Sequence, residues 1–257
     1  IEAKYPLDKP VSLQYILYMK QLFQGDLGPS YKYLGRDVSD IIYDTFPVSF
    51  TLGLCAVFVV LGLGVPAGMI SAYWQNSLLD RSVLLIAAMS ISIPSFVLGA
   101  ISVWIFSHHW HWLPPALWEG PRHMILPAFA LGAGFAGYVA RLTRTTVLDV
   151  LSSDYIRTAR AKGLTEPVIM FKHVLINSIY PIVSVMGPLT AGLVTGSFVI
   201  EFIFSIPGMG RFFITAVTNR DYPLIMGVTL VYAVLIVIAN LIVDMIYGWL
   251  DPRVTLK

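Results

Sequence analysis

Residues 154–164 read DYIRTARAKGL, a short basic stretch between long apolar segments of the chain. Its charged side chains are Asp154, Arg157, Arg160 and Lys162. Unpaired charges are costly in hydrocarbon, so this stretch must face water although its neighbours are apolar. We therefore expect residues 154–164 to lie outside the bilayer, where they contact a soluble partner.

The composition indicates a polytopic, all-α membrane protein. Hydrophobic residues make up 56% of the 257, charged residues make up 12%, and the mean hydropathy is +0.73. A soluble domain usually carries about 25% charged residues. The net charge of +2 gives no indication of a nucleic-acid partner. The single cysteine, Cys55, can form neither an internal disulfide nor a metal cluster, and is interpreted as a small buried hydrophobe.

Apolar length predicts five membrane spans. A helix needs about 20 mostly apolar residues to cross the hydrocarbon core. Four segments meet this requirement, and a fifth is less apolar but rich in glycine and alanine, which let helices pack closely. The predicted spans are 46–73, 83–106, 124–141, 179–204 and 224–249.

Charge placement predicts the orientation of these spans. Region 141–178 holds six basic residues, more than the other gaps. The positive-inside rule therefore places 141–178 and the C-terminal tail 251–257 in the cytoplasm, and segment 1–45 outside. Five spans with an external N-terminal segment need something to carry that segment across, so we expect a sixth span before Ile1. The permease domain is predicted over 46–250.

Capping signals predict two short helices within 152–178. Ser152 or Ser153 can cap the first, and Gly163 suits a left-handed terminating position. Thr165 can cap the second, with Pro167 in its first turn. A basic loop lying on anionic lipid headgroups is the alternative. The small residues of the stretch, however, favour insertion into a protein groove over a lipid surface.

The stretch 154–164 resembles the cytoplasmic signature of the dipeptide/oligopeptide-type permeases of ABC importers, which are binding-protein-dependent transport system inner-membrane components. It matches the peptide-permease version throughout, whereas only Ala159 and Gly163 match the general Glu-Ala-Ala…Gly loop. Further stretches resemble this family in order along the chain: GDLG (25–28), WLP (112–114), ILP (125–127), RLTR (141–144), EFIFSIPGMG (201–210), RDYP (220–223) and LDPR (250–253).

The resemblance implies a type I ABC importer helix bundle that moves di- or oligopeptides across the bacterial inner membrane. Its implied partners are a second homologous permease subunit, two cytoplasmic ATPase subunits and an extracytoplasmic peptide-binding protein. The chain lacks a G-x-x-x-x-G-K-[ST] loop, so ATP and Mg²⁺ are expected on the ATPases and no cofactor or catalysis on this chain. The residues implied to contact an ATPase are Asp154, Tyr155, Arg157, Thr158, Ala159, Arg160, Lys162, Gly163 and Leu164.

A second group of residues is a candidate for the translocation path or a gate. Glu201 follows an apolar run, where a carboxylate is costly unless it is paired or hydrated. Pro207, Gly208 and Gly210 follow it and predict a turn at the outer boundary of the membrane. The alternative for Glu201 is a structural ion pair with Arg211 or Arg220.

Other functions remain open at this point. A nickel or other small-solute permease would have the same architecture. An intramembrane enzyme lacks support because H-E-x-x-H and G-x-S-x-G are absent. A secondary transporter would need more buried acids and an inverted repeat. The histidines and tryptophans of 108–112 favour an interfacial anchor over a metal site, because the cluster holds no further ligand.

Overall fold

The computed structural model describes residues 10–194 and 197–250, and their side chains apart from those of 243, 244 and 246–250. The predicted tail 251–257 lies outside the described residues. The helices are α1 (Val11–Phe23), α2 (Val38–Tyr73), α3 (Leu78–Ser92), α4 (Ser95–Ser102, followed by the π-helical Val103–His109), α5 (Pro121–Leu151), α6 (Asp154–Ala161), α7 (Glu166–Val168, followed by the π-helical Ile169–Val174), α8 (Leu175–Val194), α9 (Phe198–Ile203), α10 (Met209–Asn219) and α11 (Tyr222–Leu250).

Four of these helical stretches are long and apolar enough to cross a membrane, and α3 with the helix Ser95–His109 forms a bent pair that meets the same requirement when counted as one span. The four are α2, α5, the continuous stretch Glu166–Val194, and α11 as far as Ile242. The structure therefore contains four of the predicted spans with different boundaries, and the bent pair lies where the span 83–106 is predicted.

The span predicted over 83–106 is not straight. The helix direction bends by 109° between its two halves, and α3 ends at Ser92 while α4 begins at Ser95. Pro94 occupies the N-cap of α4. Proline has no N–H and its ring clashes with the preceding turn, so the helix breaks where Pro94 enters.

The span predicted over 179–204 begins earlier and ends earlier. Thr165 occupies the N-cap and Pro167 the first turn, as predicted, but the helix then continues without a break to Val194. The expected second short helix is therefore the first part of a membrane-crossing helix. Pro167 lies in the first turn, where proline is tolerated, and Pro181 and Pro188 lie inside the helix without ending it. Residues 198–203 form the separate helix α9.

Close packing of α2 on α5 forms the centre of the bundle. A Cβ atom on Gly64 would lie 2.8 Å from the carbonyl oxygen of Ala136, and one on Gly132 would lie 2.8 Å from that of Ala56. A side chain at either position would clash with the facing backbone, so both positions require glycine. Such close packing stabilises helix association in a membrane, because lipid tails are as apolar as the helix surfaces. The small residues of the span predicted over 124–141 thus have the packing role expected of them.

Buried side chains form three clusters along the bundle. The middle cluster includes Leu52, Val60, Val139 and Ile182. One end, called here the α6 end, is built on Ala72, Val147, Ile156, Ala159, Ile169, Met170 and Val174. The other end, called the α10 end, is built on Leu27, Val38, Ile41, Ile42, Met209, Ala216, Leu224, Val228 and Tyr232.

Candidate functional site

Helix α6 is fixed to the bundle by one narrow face. Only Ile156 and Ala159 of its residues are buried. They pack in the α6-end cluster with residues of α2, α5 and the π-helical stretch before α8. Ile156 is completely buried. The buried face of α6 therefore shares one apolar cluster with three membrane-crossing helices.

The other face of α6 is exposed. Of the nine residues predicted to contact a partner, eight are exposed: Asp154, Tyr155, Arg157, Thr158, Arg160, Lys162, Gly163 and Leu164. Ala159 was assigned to the partner as well, yet its side chain points into the bundle and is only 7% exposed. A small residue is needed there because the helix lies close against its own spans.

Gly163 ends α6 in the left-handed conformation that the sequence predicts. Its φ is +77°, and a Cβ atom there would meet nothing within 4 Å. The N–H of Gly163 donates to the carbonyl of Arg160 at 2.9 Å, and that of Leu164 donates to the carbonyl of Ala159 at 3.3 Å. Glycine is thus favoured at this position by its backbone angle, and space is not limiting.

An ion pair ties α6 to the beginning of α7. Arg160 Nε donates to Glu166 Oε1 at 2.8 Å, and Arg160 Nη2 donates to Glu166 Oε2 at 3.3 Å. The nearby carboxylate raises the pKa of the Arg160 guanidinium. Ser153 occupies the N-cap as predicted, but its hydroxyl donates to the Val150 carbonyl at 2.6 Å and does not cap α6. The Ser153 side chain is thus hydrogen-bonded to the end of α5 and not to the N–H groups of α6.

Glu201 lies at the opposite end and is completely buried. Its Oε2 accepts the N–H groups of Gly210 at 2.8 Å and of Arg211 at 3.4 Å. The Arg211 guanidinium instead donates to the Ser205 carbonyl at 2.9 Å. Among the described residues Glu201 forms no ion pair with Arg211 or Arg220, so that alternative is wrong. The carboxylate is held by the N-terminal backbone of α10.

Gly208 and Gly210 allow α10 to close over this carboxylate. A Cβ atom on Gly208 would lie 2.6 Å from the Ser49 hydroxyl, and one on Gly210 would lie 2.8 Å from Cα of Phe198. Ser49 Oγ also accepts the N–H of Met209 at 2.9 Å. These glycines are buried and Pro207 is exposed in the turn before them. The arrangement joins α2, α9 and α10, and a role in the path or gate stays a prediction.

Asp221 is a key residue of the α10 end that the sequence analysis missed. It is completely buried, and its carboxylate accepts hydrogen bonds from Ser30 Oγ at 2.5 Å, Tyr31 N at 3.1 Å and Lys32 N at 3.2 Å. It also accepts the N–H of Leu224 at 3.4 Å, as an N-cap does. An aspartate just before an apolar helix is a capping signal that could have drawn attention to it.

A large cavity opens on the α3–α4 bend. It measures about 720 Å³ and is lined by α3, α4, α5 and α8. Its lining is mostly apolar, with four hydroxyl-bearing side chains: Ser90, Ser95, Tyr138 and Ser184. None of the four predicted path residues lines it. Irregular backbone inside a membrane is tolerated where it lines a cavity. Pro94, which breaks the helix at the bend, is therefore the sequence feature that could have indicated this cavity.

The histidine-rich stretch 108–112 forms an aromatic cluster. The ring of His109 stacks on Trp104 with centroids 6.2 Å apart, and Trp110 lies 4.6 Å from Trp112. In the described part of the chain, no group of three His, Cys, Asp or Glu side chains is placed to hold a metal ion.

A family model described as "Binding-protein-dependent transport system inner membrane component" matches residues 64–256. The chain belongs to this family. It is 44% identical over 256 residues to the dipeptide transport system permease protein DppB of Bacillus subtilis (strain 168), covering 100% of this chain and 83% of the relative. It is also 44% identical over 256 residues to the oligopeptide transport system permease protein OppB of Escherichia coli (strain K12), covering 99% and 84%. The resemblance found in the sequence is confirmed.

Solved structures support the fold of this family member. An inward-facing structure of the MetNI methionine ABC transporter matches with a TM-score of 0.69 and 17% identity, covering 82% of this chain and 96% of that one. An amino acid ABC transporter crystallised with histidines matches with a TM-score of 0.62 and 14% identity, covering 81% and 94%. The chain is a multi-pass membrane protein with the transmembrane fold of ABC importers.

Proposed function

We propose that this chain is the transmembrane permease subunit of an ATP-driven importer that carries di- and oligopeptides across the bacterial inner membrane. In this proposal the α6 end faces the cytoplasm, and so does the C-terminus. The chain works with a second homologous permease subunit, two cytoplasmic ATPase subunits and an extracytoplasmic peptide-binding protein. The observation that carries the proposal is the construction of α6, with one face anchored on three spans and the other exposed and basic.

The exposed face of α6 suits docking into a groove of an ATPase. Arg157 and Lys162 project from it, and Tyr155 adds a ring that is 45% exposed. Arginine and tyrosine are typical anchors of protein interfaces. Because Ile156 lies in the cluster shared by α2, α5 and the α8 stretch, a displacement of the docked ATPase would move these spans as a unit.

The cavity on the α3–α4 bend is the part of this chain that best suits a transport path. Its hydroxyl groups can exchange hydrogen bonds with the amide groups of a peptide, and its lining residues carry no formal charge. Such a lining accepts peptides of different side-chain charge, because it neither attracts nor repels one sign. With a path shared between two permease subunits, the partner supplies the other wall.

Energy for transport comes from the partner ATPases in this proposal, and the present chain is not an enzyme. ATP and Mg²⁺ bind to those subunits, since this sequence has no phosphate-binding loop. The names of the relatives, dipeptide and oligopeptide transport system permease proteins, support peptides as the cargo over nickel or another small solute.

Uptake by the reconstituted complex tests this function. The complete complex in proteoliposomes, with its binding protein outside, is expected to accumulate a labelled di- or tripeptide when ATP is inside. A complex whose ATPase subunits bind ATP without hydrolysing it serves as the matched control and should not accumulate label. ATP-dependent uptake of ⁶³Ni²⁺ with no uptake of peptides would contradict the peptide assignment, and uptake without ATP would contradict the importer mechanism.

A further inference from the structure

Helix α3 packs along α5 and also contacts α2, but it buries few side chains. Only Asp80 and Ala87 of its fifteen residues are buried. Several of its large side chains face outward, among them Leu78, Leu85 and Ile86, which are 63–80% exposed. Asp80 is therefore a buried carboxylate in a helix that is otherwise mostly exposed.

The buried position at the start of α3 is a two-pronged ion pair with α5. Arg144 Nε donates to Asp80 Oδ1 at 2.7 Å, and Arg144 Nη2 donates to Asp80 Oδ2 at 2.8 Å. The side chain of Asp80 is 3% exposed and that of Arg144 is 20% exposed. Such parallel bonds fix orientation as well as distance, because a planar guanidinium matches a planar carboxylate in one geometry.

The same carboxylate also binds the end of α2. The Ser71 hydroxyl donates to Asp80 Oδ1 at 2.5 Å, and the N–H of Asn76, in the turn after α2, donates to Oδ2 at 2.8 Å. One aspartate thus joins α2, α3 and α5. Helix α3 also packs closely on α5 further along, where a Cβ atom on Gly137 would lie 2.6 Å from the Ala87 carbonyl and one on Gly134 would lie 3.2 Å from the Ser90 carbonyl.

Arg144 lies close to the part of α5 that holds α6. Val147, three residues further along α5, belongs to the cluster that buries Ile156 and Ala159. Ala72 of α2 belongs to the same cluster, one residue after Ser71. Helix α6 shares this cluster with α2, α5 and the α8 stretch. Asp80 therefore binds α2 and α5 next to the residues that bury α6.

Helix α3 leads from this ion pair to the cavity. Its far end supplies Ser90 and Ile91 to the cavity wall, and Ile93, Pro94 and Ser95 of the bend complete that side. The opposite walls belong to α5 and α8. A movement of α5 that is passed on to α3 would therefore displace the α3–α4 wall of the cavity.

We propose that the Asp80–Arg144 ion pair transmits movement of α6 to the α3–α4 wall of the cavity. These two residues then determine the ratio of peptide transported to ATP hydrolysed. Neither residue touches cargo or ATPase, and both act as positioning residues through α3. This inference rests on the proposed function, since a movement of α6 requires a bound ATPase.

The test compares four changes in the complete complex, reconstituted as for the uptake assay. Asp80→Asn and Arg144→Lys each weaken the two-pronged pair, while Asp80→Asn combined with Arg144→Gln removes both charges and leaves no unpaired buried ion. Arg141→Gln is the matched control, because Arg141 lies one turn earlier on α5 and is exposed. Complex yield, ATP hydrolysis and peptide uptake are measured for each.

The expected result is a change in the ratio of peptide taken up to ATP hydrolysed. The complex with both substitutions assembles and hydrolyses ATP, but its ratio of peptide uptake to ATP hydrolysis falls about tenfold. A loss of this size is within the usual range of coupling between distant sites. Asp80→Asn and Arg144→Lys show a smaller fall, and Arg141→Gln keeps the native ratio. A purely structural pair would lower the yield of complex and leave the ratio unchanged in what assembles.

Two other outcomes would contradict the inference. The first is a native ratio of uptake to ATP hydrolysis in the double variant. The second is a failure of all three Asp80 and Arg144 variants to assemble, which would show that the pair serves folding. If the unaltered complex hydrolyses ATP and shows no uptake of peptide, the proposed function fails first, and this result is distinct because it does not depend on any substitution.

Discussion

Two sets of charged residues, one on α6 and one at the α10 end, differ in what they bind. At the α6 end, Arg157 and Lys162 are exposed on a helix that is held by apolar contacts. At the α10 end, Glu201 and Asp221 are completely buried and bind backbone N–H groups of the chain itself. A buried charge must be satisfied within the protein. Glu201 and Asp221 therefore stabilise the local structure of the α10 end, whereas Arg157 and Lys162 are exposed on the surface of α6.

The largest effect is expected from removing the carboxylate of Asp221. Asp221→Ala removes the acceptor of Ser30 Oγ and of three backbone N–H groups, which is expected to cost about 3 kcal/mol or more in the free energy of unfolding. Thermal unfolding in detergent and hydrogen exchange of residues 28–37 measure the effect. Asp40→Ala, on the exposed first turn of α2, is the control at the same end and should cost about 0.5 kcal/mol. Unchanged exchange in Asp221→Ala would contradict the assigned role.

Substitution of Glu201 is expected to lower stability somewhat less. It distinguishes a structural role of this side chain from a role in gating. Glu201→Ala leaves the N–H groups of Gly210 and Arg211 without an acceptor and is expected to cost about 2 kcal/mol. Glu201→Gln keeps a carbonyl oxygen for them, so unfolding temperature and peptide uptake should stay close to native. If Glu201→Gln abolished uptake in a stable complex, the charge itself would matter and a gating role would be favoured.

Gly163 tests the α6 end through its backbone. Gly163→Val places a β-branched residue at positive φ and should cost about 1–2 kcal/mol, enough to distort the end of α6 while the spans remain inserted. Gly163→Asn is the matched control, since asparagine adopts this conformation more readily. We expect ATP-linked uptake to fall in the valine variant and to remain near native in the asparagine variant. Equal uptake in both would show that the shape of this turn does not matter for coupling.

The sequence predicts those parts of the molecule that depend on local pattern. Apolar length predicts the five spans because a helix must match the hydrocarbon thickness, and the left-handed Gly163 follows from capping rules. The partners of the buried carboxylates could not be predicted in this way. Asp80 is 64 residues from Arg144 in the chain, and Ser30 is 191 residues from Asp221. Sequence alone holds no distance between such residues, so Arg144 was interpreted only as a cytoplasmic charge.

The direction of Ala159 shows the same limit. Its position in the signature made it a partner contact, while the structure turns it toward the α6-end cluster. Helix periodicity places Ile156 and Ala159 on one face, but it does not say which neighbour covers that face. In a short helix at the membrane boundary, both the chain's own spans and a separate protein are possible neighbours, and only the tertiary structure distinguishes them.

Accessibility of α6 from each side of the membrane tests the docking of α6 most directly. Arg157→Cys in a Cys55→Ser background places a thiol on the exposed face, and Leu34→Cys, at a position that is 84% exposed near the α10 end, is the matched control. With a membrane-impermeant maleimide, Arg157→Cys should react in inside-out vesicles only and become protected when the ATPases are added back, while Leu34→Cys should react in right-side-out vesicles only. Reaction of Arg157→Cys from the outer side, or no protection by the ATPases, would contradict the docking of α6.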